Sequence, residues 1–368
     1  MILVVDRDSK NVKVSCFKQD GSFYRIILED GINTAVSVRK AILKTTTKSR
    51  IEAISFRCFF GGDISEGPVF IDETLLTDMV KLTEFFSLYV PAMIDLIKTF
   101  RSAFQDVPLI AFFENSFFRD LPEEEKCYAL PYEYCEKHRV RKWGFHGIFH
   151  EENSVVAGLK KRTISIVLDI QTTVSAISGG KPLSISLGYT PLEGIMSRTS
   201  CGDLDPGIVF YLMNVQKYSL QRIDDMLKNE SGFVGLTGYD ISIEDMVKLL
   251  GKDKKIDLAF DVYRFQIMKY MAEGMAAMGG VDNIVFSGQN TGVLASVIHN
   301  ILKDLMFLGV NVGSVPGAVD GDVVTVSSAE SEIKALINKM SVERIIFHQS
   351  ISFLRNTNKN NTMTFGRK

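Results

Sequence analysis

The stretch Leu187-Gly-Tyr-Thr-Pro-Leu-Glu-Gly-Ile-Met-Ser-Arg-Thr-Ser-Cys-Gly-Asp-Leu-Asp-Pro206 separates a strand-like run, Thr163 to Ser178, from an apolar helical run, Ile208 to Met213. Gly188, Pro191, Gly194, Gly202 and Pro206 prevent any regular element within it. It also carries Thr190, Glu193, Arg198, Thr199, Ser200, Asp203 and Asp205. A long polar loop inside a compact domain is either functional or disordered. The interleaved Leu192, Ile195, Met196 and Leu204 argue for order, so the stretch is read as part of a site.

Downstream, hydrophobic spacing gives helices at Leu220 to Leu227, Ile243 to Leu250 and Leu258 to Met278. A strand at Asn283 to Ser287 opens onto Gly288 and is followed by a helix at Gly292 to Leu308. Val323 to Val326 reads as the last strand and Ala329 to Lys339 as the helix after it. Upstream, strands at Thr163 to Ile170, Val174 to Ser178 and Leu183 to Ser186 precede the loop. The first half of the chain has the same order. Strands run from Met1 to Leu28 with a polar turn at Asp6 to Asn11, followed by a helix at Ile32 to Leu43. A strand at Ile51 to Phe60 ends at Gly61-Gly62, and helices at Leu75 to Phe86 and Ala92 to Phe104 precede a short strand, Leu109 to Phe113. Strand groups followed by alternating helices and strands indicate an α/β fold.

At 368 residues the chain has room for two domains, each able to bury a core. A hydrophobic content of 46%, with 23% charged residues, is that of an ordinary globular protein. The net charge of −2 gives no reason to expect nucleic acid or an anionic membrane as a partner. The chain enters the apolar strand Ile2 to Val5 without a basic leader, and no apolar run is long enough to span a bilayer. The five cysteines, Cys16, Cys58, Cys127, Cys135 and Cys201, show no Cys-x-x-Cys spacing and read as reduced thiols in the cytoplasm.

The central stretch resembles the Gly-Phe-Thr-Pro-Leu-Glu-Gly and Thr-Arg-x-Gly-x-x-Asp-Pro motifs of acetate kinases, through Gly188 to Gly194 and Gly202 to Pro206. Tyr128-Ala-Leu-Pro-Tyr-Glu-Tyr-Cys135, Trp143-Gly-Phe-His-Gly147 and Ser231-Gly-Phe-Val-Gly-Leu-Thr-Gly238 are similar to further motifs of that family, in the family's order. The resemblance implies two ribonuclease-H-like domains of the actin, Hsp70 and sugar-kinase type, with ligands in an interdomain cleft. The expected division is residues 1–143 on the acyl side and 144–330 on the nucleotide side. A helical segment, 331–356, is expected to pack back on the first domain, ahead of a polar tail, 357–368. The implied reaction is phosphoryl transfer between ATP and acetate or another short-chain acid, with Mg²⁺. The implied partners are a small carboxylic acid and a nucleotide. Family members are commonly homodimeric, and the apolar helices are candidates for such an interface.

The resemblance assigns Arg57 to the substrate carboxylate, and a planar guanidinium suits bidentate contact with that group. It assigns His146 to the transferring phosphoryl, and Glu114 falls where the family has a catalytic Asp. Asp6 and Glu330 offer hard oxygens for Mg²⁺, while Lys13, Gly288 and Gly292 fall in nucleotide-binding segments. Each has a plainer reading as well: a surface arginine, a core histidine, a solvated Glu after a strand, a capping Glu or an exposed Lys.

The departures from the family pattern concentrate on the nucleotide phosphates. Asp8, Lys10 and Asn11 alter the first phosphate turn, and Val167-Leu-Asp-Ile-Gln171 replaces a Gly-containing loop. Ser242 and Glu244 replace Asp and Arg beside the adenosine, and the last Gly-rich loop has become Gly288-Gln-Asn-Thr-Gly292. Phe56 and Phe60 stand in place of two histidines near Arg57, which makes a more apolar pocket suited to a longer acid. Ser200 occupies the position of the family's second arginine, and Arg198, roughly 7 Å away along extended chain, is a candidate substitute. Three readings stay open: an acyl kinase, a catalytically weak homologue or one using another phosphoryl donor, and a related sugar kinase.

Overall fold

A computed structural model describes residues 1–7, 11–29, 36–40, 50–64, 66–84, 90–313 and 322–365, the last eight as backbone alone. The turn at Asp8 to Lys10 and both ends of the expected helix Ile32 to Leu43 lie outside the described residues. The chain divides into one unit of Met1–Arg119 with Ser341–Lys368, and a second of Asp120–Met340. The divisions fall at Arg119 and Met340, where the sequence analysis set them at Trp143 and Glu330.

The first unit is built on a six-stranded sheet of β1 (Ile2–Arg7), β2 (Asn11–Phe17), β3 (Phe23–Glu29), β4 (Ala53–Cys58), β5 (Val69–Phe70) and β6 (Leu109–Phe113), in the order β3-β2-β1-β4-β6-β5. β1, β2 and β3 form an antiparallel meander, β4 pairs parallel with β1, and β6 pairs parallel with β4. β4 and β6 are buried along their whole length; β6 accordingly reads as an unbroken apolar run, while β4 buries Ser55 and Arg57 among its apolar residues. The helix Val342–Phe365 covers this sheet. Phe347 stacks on Phe17 at 4.5 Å, the Ser350 and Ser55 hydroxyls meet at 2.7 Å, and Arg25 pairs with Glu343 at 3.0 Å.

The second unit repeats the plan with β7 (Thr163–Val167), β8 (Thr173–Ser178), β9 (Lys181–Ile185), β10 (Asn283–Ser287), β11 (Val323–Thr325) and β12 (Lys334–Asn338), in the order β11-β12-β10-β7-β8-β9. Again the first three strands form a meander, and the next two parallel partners line up beside the first. In both units the penultimate strand in sequence closes the edge antiparallel to the last. This is the two-domain ribonuclease-H-like fold expected from the sequence. The helix Lys254–Ala277, capped by Asp253, buries Ile256, Ala259, Phe260, Tyr263, Ile267 and Met271, a helical stripe in the core of this unit.

Two expectations fail at the end of the second unit. Val323–Thr325 is not the last strand, and the helix expected over Ala329 to Lys339 is strand β12. Ile333, Ala335, Leu336 and Ile337 are all buried, and a short apolar run buried on both faces has no period to distinguish strand from helix. The helix Gly147–Ala157 was not anticipated either. It buries His150, Asn153 and Ser154 beside Ile148 and Phe149, so no continuous apolar stripe announced it.

Candidate active site

In the first unit three charged side chains meet where the parallel strands end. Asp6 is near the end of β1, Arg57 near the end of β4, and Glu114 directly follows β6. In open α/β sheets ligands bind outside the carboxyl ends of such strands. Arg57 donates through Nε to Glu114 Oε1 at 2.5 Å and through Nη1 to Asp6 Oδ2 at 3.4 Å, and all three residues are buried. The turn after Arg57 is held by Asn115, which accepts from Gly61 N and donates to Gly62 O, both at 2.8 Å. Phe56 and Phe60 are buried, and Phe59 lies under the guanidinium at 5.5 Å. Thus Arg57, Glu114 and Asp6, assigned to three separate roles, form one cluster. Lys13 lies opposite Asp6 in the β1–β2 register.

Asp6 Oδ1 is a buried oxygen with no hydrogen-bond partner among the described residues. That is the kind of oxygen a Mg²⁺ ion takes. Mg²⁺ is usually held by one or two carboxylates together with water and phosphate, not by a full protein cage. The finding that no group of three or more metal-binding side chains occurs among the described residues is compatible with such a site. Glu330, the other expected ligand, belongs to the second unit and is exposed. Hydrogen bonds from its own backbone N–H and from Ser328 hold its carboxyl below the usual range.

His146 has φ of +60° and caps the helix Gly147–Ala157 from the left-handed region, a conformation sparsely used outside glycine. Its Nδ1 lies 3.0 Å from Thr173 Oγ1, and the same hydroxyl lies 2.9 Å from His150 Nε2. Burial pushes His150 down to about 3, so this ring is neutral.

The central loop is anchored by Tyr128, which opens the second family-like motif, and by Lys142 and Glu125 beside it. Tyr128 OH donates to Glu193 and accepts from Tyr189 N at 2.8 Å, while Lys142 Nζ reaches Glu125 at 3.1 Å and Glu193 at 3.4 Å. Burial works against the Lys142 charge, but Glu125 and Glu193 outweigh it and hold its pKa above the ordinary value. Gly188 is required beneath this network, because a Cβ there would fall 1.8 Å from Glu193 Oε2 and 2.2 Å from Tyr128 OH. So anchored, the loop delivers Met196, Ser197 and Arg198 to the wall of a cavity of about 350 Å³ within the second unit.

The other walls of that cavity come from Asp169, Ile170 and Thr172 after β7, Ser242 to Glu244, Phe233 and Tyr263, and Asn290 after β10. Arg198 donates to Asp240 and to Ile241 O, so its guanidinium is engaged beside Ser242 to Glu244. Ser200 instead closes a tight turn, its N–H donating to Ser197 Oγ at 3.0 Å. Gly288 has φ of +98°, and a Cβ there would lie 2.4 Å from Leu168 O. Gly292 faces open space.

The sequence did not point to Thr173 or Tyr263, whereas Asp169 lies in the altered loop Val167 to Gln171. Thr172 Oγ1 and Tyr263 OH share a 2.5 Å hydrogen bond on the cavity wall, between residues far apart in the chain. The signal for the histidine pair was the resemblance, in which His150 matches the second histidine of the family motif around His146.

The acetokinase family profile matches residues 13–348. An acetate kinase of Shouchella clausii is 30% identical over 358 residues, covering 92% of this chain and 90% of its own. One of Treponema denticola is 33% identical over 317 residues, covering 83% and 79%. The crystal structure of Porphyromonas gingivalis acetate kinase aligns with a TM-score of 0.87 at 26% identity, covering 96% of this chain and 99% of that one. Among the described residues no helix is long and apolar enough to cross a membrane.

Proposed function

Since the chain belongs to the acetokinase family, we propose that it transfers the γ-phosphoryl group of ATP to acetate or another short-chain carboxylate, giving ADP and an acyl phosphate. A carboxylate oxygen attacks the γ-phosphorus, and the bond from that phosphorus to the β,γ-bridging oxygen breaks. The observation that carries this reading is the composition of the second unit's cavity. Its walls are the segments Asp169–Ile170, Met196–Arg198, Ser242–Glu244 and Asn290, brought together from distant parts of the chain. The family resemblance links Asp169–Ile170, Ser242–Glu244 and Asn290 to the nucleotide, and Met196–Arg198 to the central family-like stretch.

In this reading Arg57 binds the substrate carboxylate by charge-assisted hydrogen bonds, and Glu114 holds the guanidinium in place. His146 donates a hydrogen bond to the transferring phosphoryl, stabilising charge as it develops. Asp6 and Glu330, each taken in its own unit, are the candidate carboxylates for Mg²⁺, which when bound would neutralise charge on the phosphate oxygens. Lys13, Gly288 and Gly292 serve the nucleotide, and Arg198, in place of the family arginine lost at Ser200, is the further catalytic residue. The homodimer implied by the family would cover the helix Pro206–Asn214, which buries none of its side chains and exposes Ile208, Phe210 and Tyr211.

A second reading is favoured by the charge of the cavity. Its wall carries two carboxylates, Asp169 and Glu244, against one guanidinium, Arg198, which is paired with Asp240. That balance opposes nucleotide phosphates and favours weak ATP binding or another phosphoryl donor. Calorimetric titration with ATP and Mg²⁺ decides between the two. Saturable binding that is lost on Gly288→Trp supports the first reading, and no binding by folded protein overturns it. A panel of carboxylates and hexoses with ATP then separates an acyl kinase from a sugar kinase.

A further inference from the structure

Beneath His146 runs a continuous chain of buried polar side chains, all within the second unit. His146, His150 and Asn153 stand at i, i+4 and i+7 and share one face where the helix Gly147–Ala157 begins. That face meets Ser165 of β7, Thr173 of β8, Ser287 of β10 and Asn338 of β12, all fully buried.

One donor in this chain has no alternative role. The backbone N–H of Met340 donates to Asn338 Oδ1 at 3.0 Å, which fixes the orientation of that amide. Asn338 Nδ2 therefore donates to Asn153 Oδ1 at 3.1 Å. Asn153 Nδ2 in turn donates to Ser165 Oγ at 2.9 Å and to Ser287 Oγ at 2.8 Å. With Ser165 Oγ already accepting, its own O–H has one acceptor at hand among the described residues, His150 Nδ1 at 2.7 Å. Leaving that buried hydroxyl unmade would cost about 1–3 kcal/mol.

His150 then carries its proton on Nε2 and donates to Thr173 Oγ1, whose O–H is left to donate to His146 Nδ1. We propose that this relay, anchored at the Met340 backbone, fixes His146 as the Nε2–H tautomer, with Asn338, Asn153, Ser165, His150 and Thr173 as positioning residues. The proposal rests on His146 being the group that meets the phosphoryl. It adds what sets that donor: Nδ1 is held as an acceptor, so the proton stands on Nε2 before any ligand binds. Full satisfaction of every member is what makes such a buried network directional. The neutrality of His150, forced by burial, keeps a second charge out of it.

The test is long-range ¹H–¹⁵N correlation on protein labelled at histidine, with His146→Gln to assign the ring. Nε2–H patterns for both His146 and His150 are expected. Thr173→Val cuts the relay at one bond and should move His146 toward tautomer-averaged shifts. It should lower kcat by about tenfold or more with little change in nucleotide KM. Should Thr173→Val fail to fold, Ser165→Ala removes the bond one step deeper and must change the His150 pattern first. An Nδ1–H pattern for His146 in the wild type, or a pattern unmoved by these substitutions, overturns the relay. Because the spectrum needs no substrate, the relay and the phosphoryl role fail separately. A correct tautomer with a fully active His146→Gln enzyme would keep the relay and remove the role.

Discussion

The two units share one sheet topology but fill the ends of equivalent strands with opposite chemistry. In the first, the ends of β1, β4 and β6 bring Asp6, Arg57 and Glu114 together, one guanidinium paired to two carboxylates with Asp6 Oδ1 and Glu114 Oε2 left over among the described residues. In the second, the strand ends and the helix above them are joined by neutral hydroxyls, amides and imidazoles, down to Asn338. The difference teaches that a duplicated fold specifies where polar groups can gather, not which ones. A buried charge cluster depends on every partner being present. A neutral network tolerates burial without counterions, but it must be fully hydrogen-bonded, and so it gains direction.

Breaking the charged side should give the largest effect. Arg57→Ala leaves two buried carboxylates facing each other and is expected to cost about 3–5 kcal/mol of stability by denaturant unfolding, along with activity. The triple variant Arg57→Met, Glu114→Leu, Asp6→Asn should recover most of that stability and no activity. Recovery of activity as well would show that the cluster is structural alone.

The neutral side should be revealed by pH. His150 is held at about 3 in the folded protein, against about 6.5 when unfolded. Between those values the unfolded chain binds a proton that the native state refuses, so stability falls as pH falls, by about 1.4 kcal/mol per pH unit. Unfolding midpoints measured from pH 7 to pH 4.5 check this. A flat profile would mean that the ring is solvated.

A smaller contrast lies at the loop after β10. Gly288→Ala should destabilise by roughly 1–3 kcal/mol, because its Cβ meets the Leu168 carbonyl at positive φ. Gly292→Ala should fall within about 0.5 kcal/mol in the same thermal unfolding assay. A comparably small stability effect is expected at Arg198→Ala, which breaks a partly exposed pair with Asp240 worth less than about 1 kcal/mol. Its effect should instead appear as a lowered kcat.

Much of the fold was legible in the sequence because it is written in local patterns. The meanders show as short apolar runs with turn residues between them, and Lys254–Ala277 shows as a helical stripe. β12 was not legible, since a strand buried on both faces carries no alternation. Arg57, Glu114 and Asp6 could each be picked out by resemblance, but not their mutual pairing, which depends on strand order β1-β4-β6. The relay was least visible. Ser165, Thr173, Ser287 and Asn338 are unremarkable polar residues in separate strands, and they become a network only when β7, β8, β10 and β12 bring them beneath one helix.

The central claim is that this chain makes acyl phosphate with Arg57 at the carboxylate. The most direct measurement is hydroxylamine trapping of the product from acetate, ATP and Mg²⁺, beside Arg57→Ala and Arg57→Lys. The account predicts hydroxamate from the wild type, at least about a hundredfold less from Arg57→Ala, and only partial rescue by Lys, which lacks the planar fork. No hydroxamate from folded wild-type protein, with acetate or with longer acids, would contradict it.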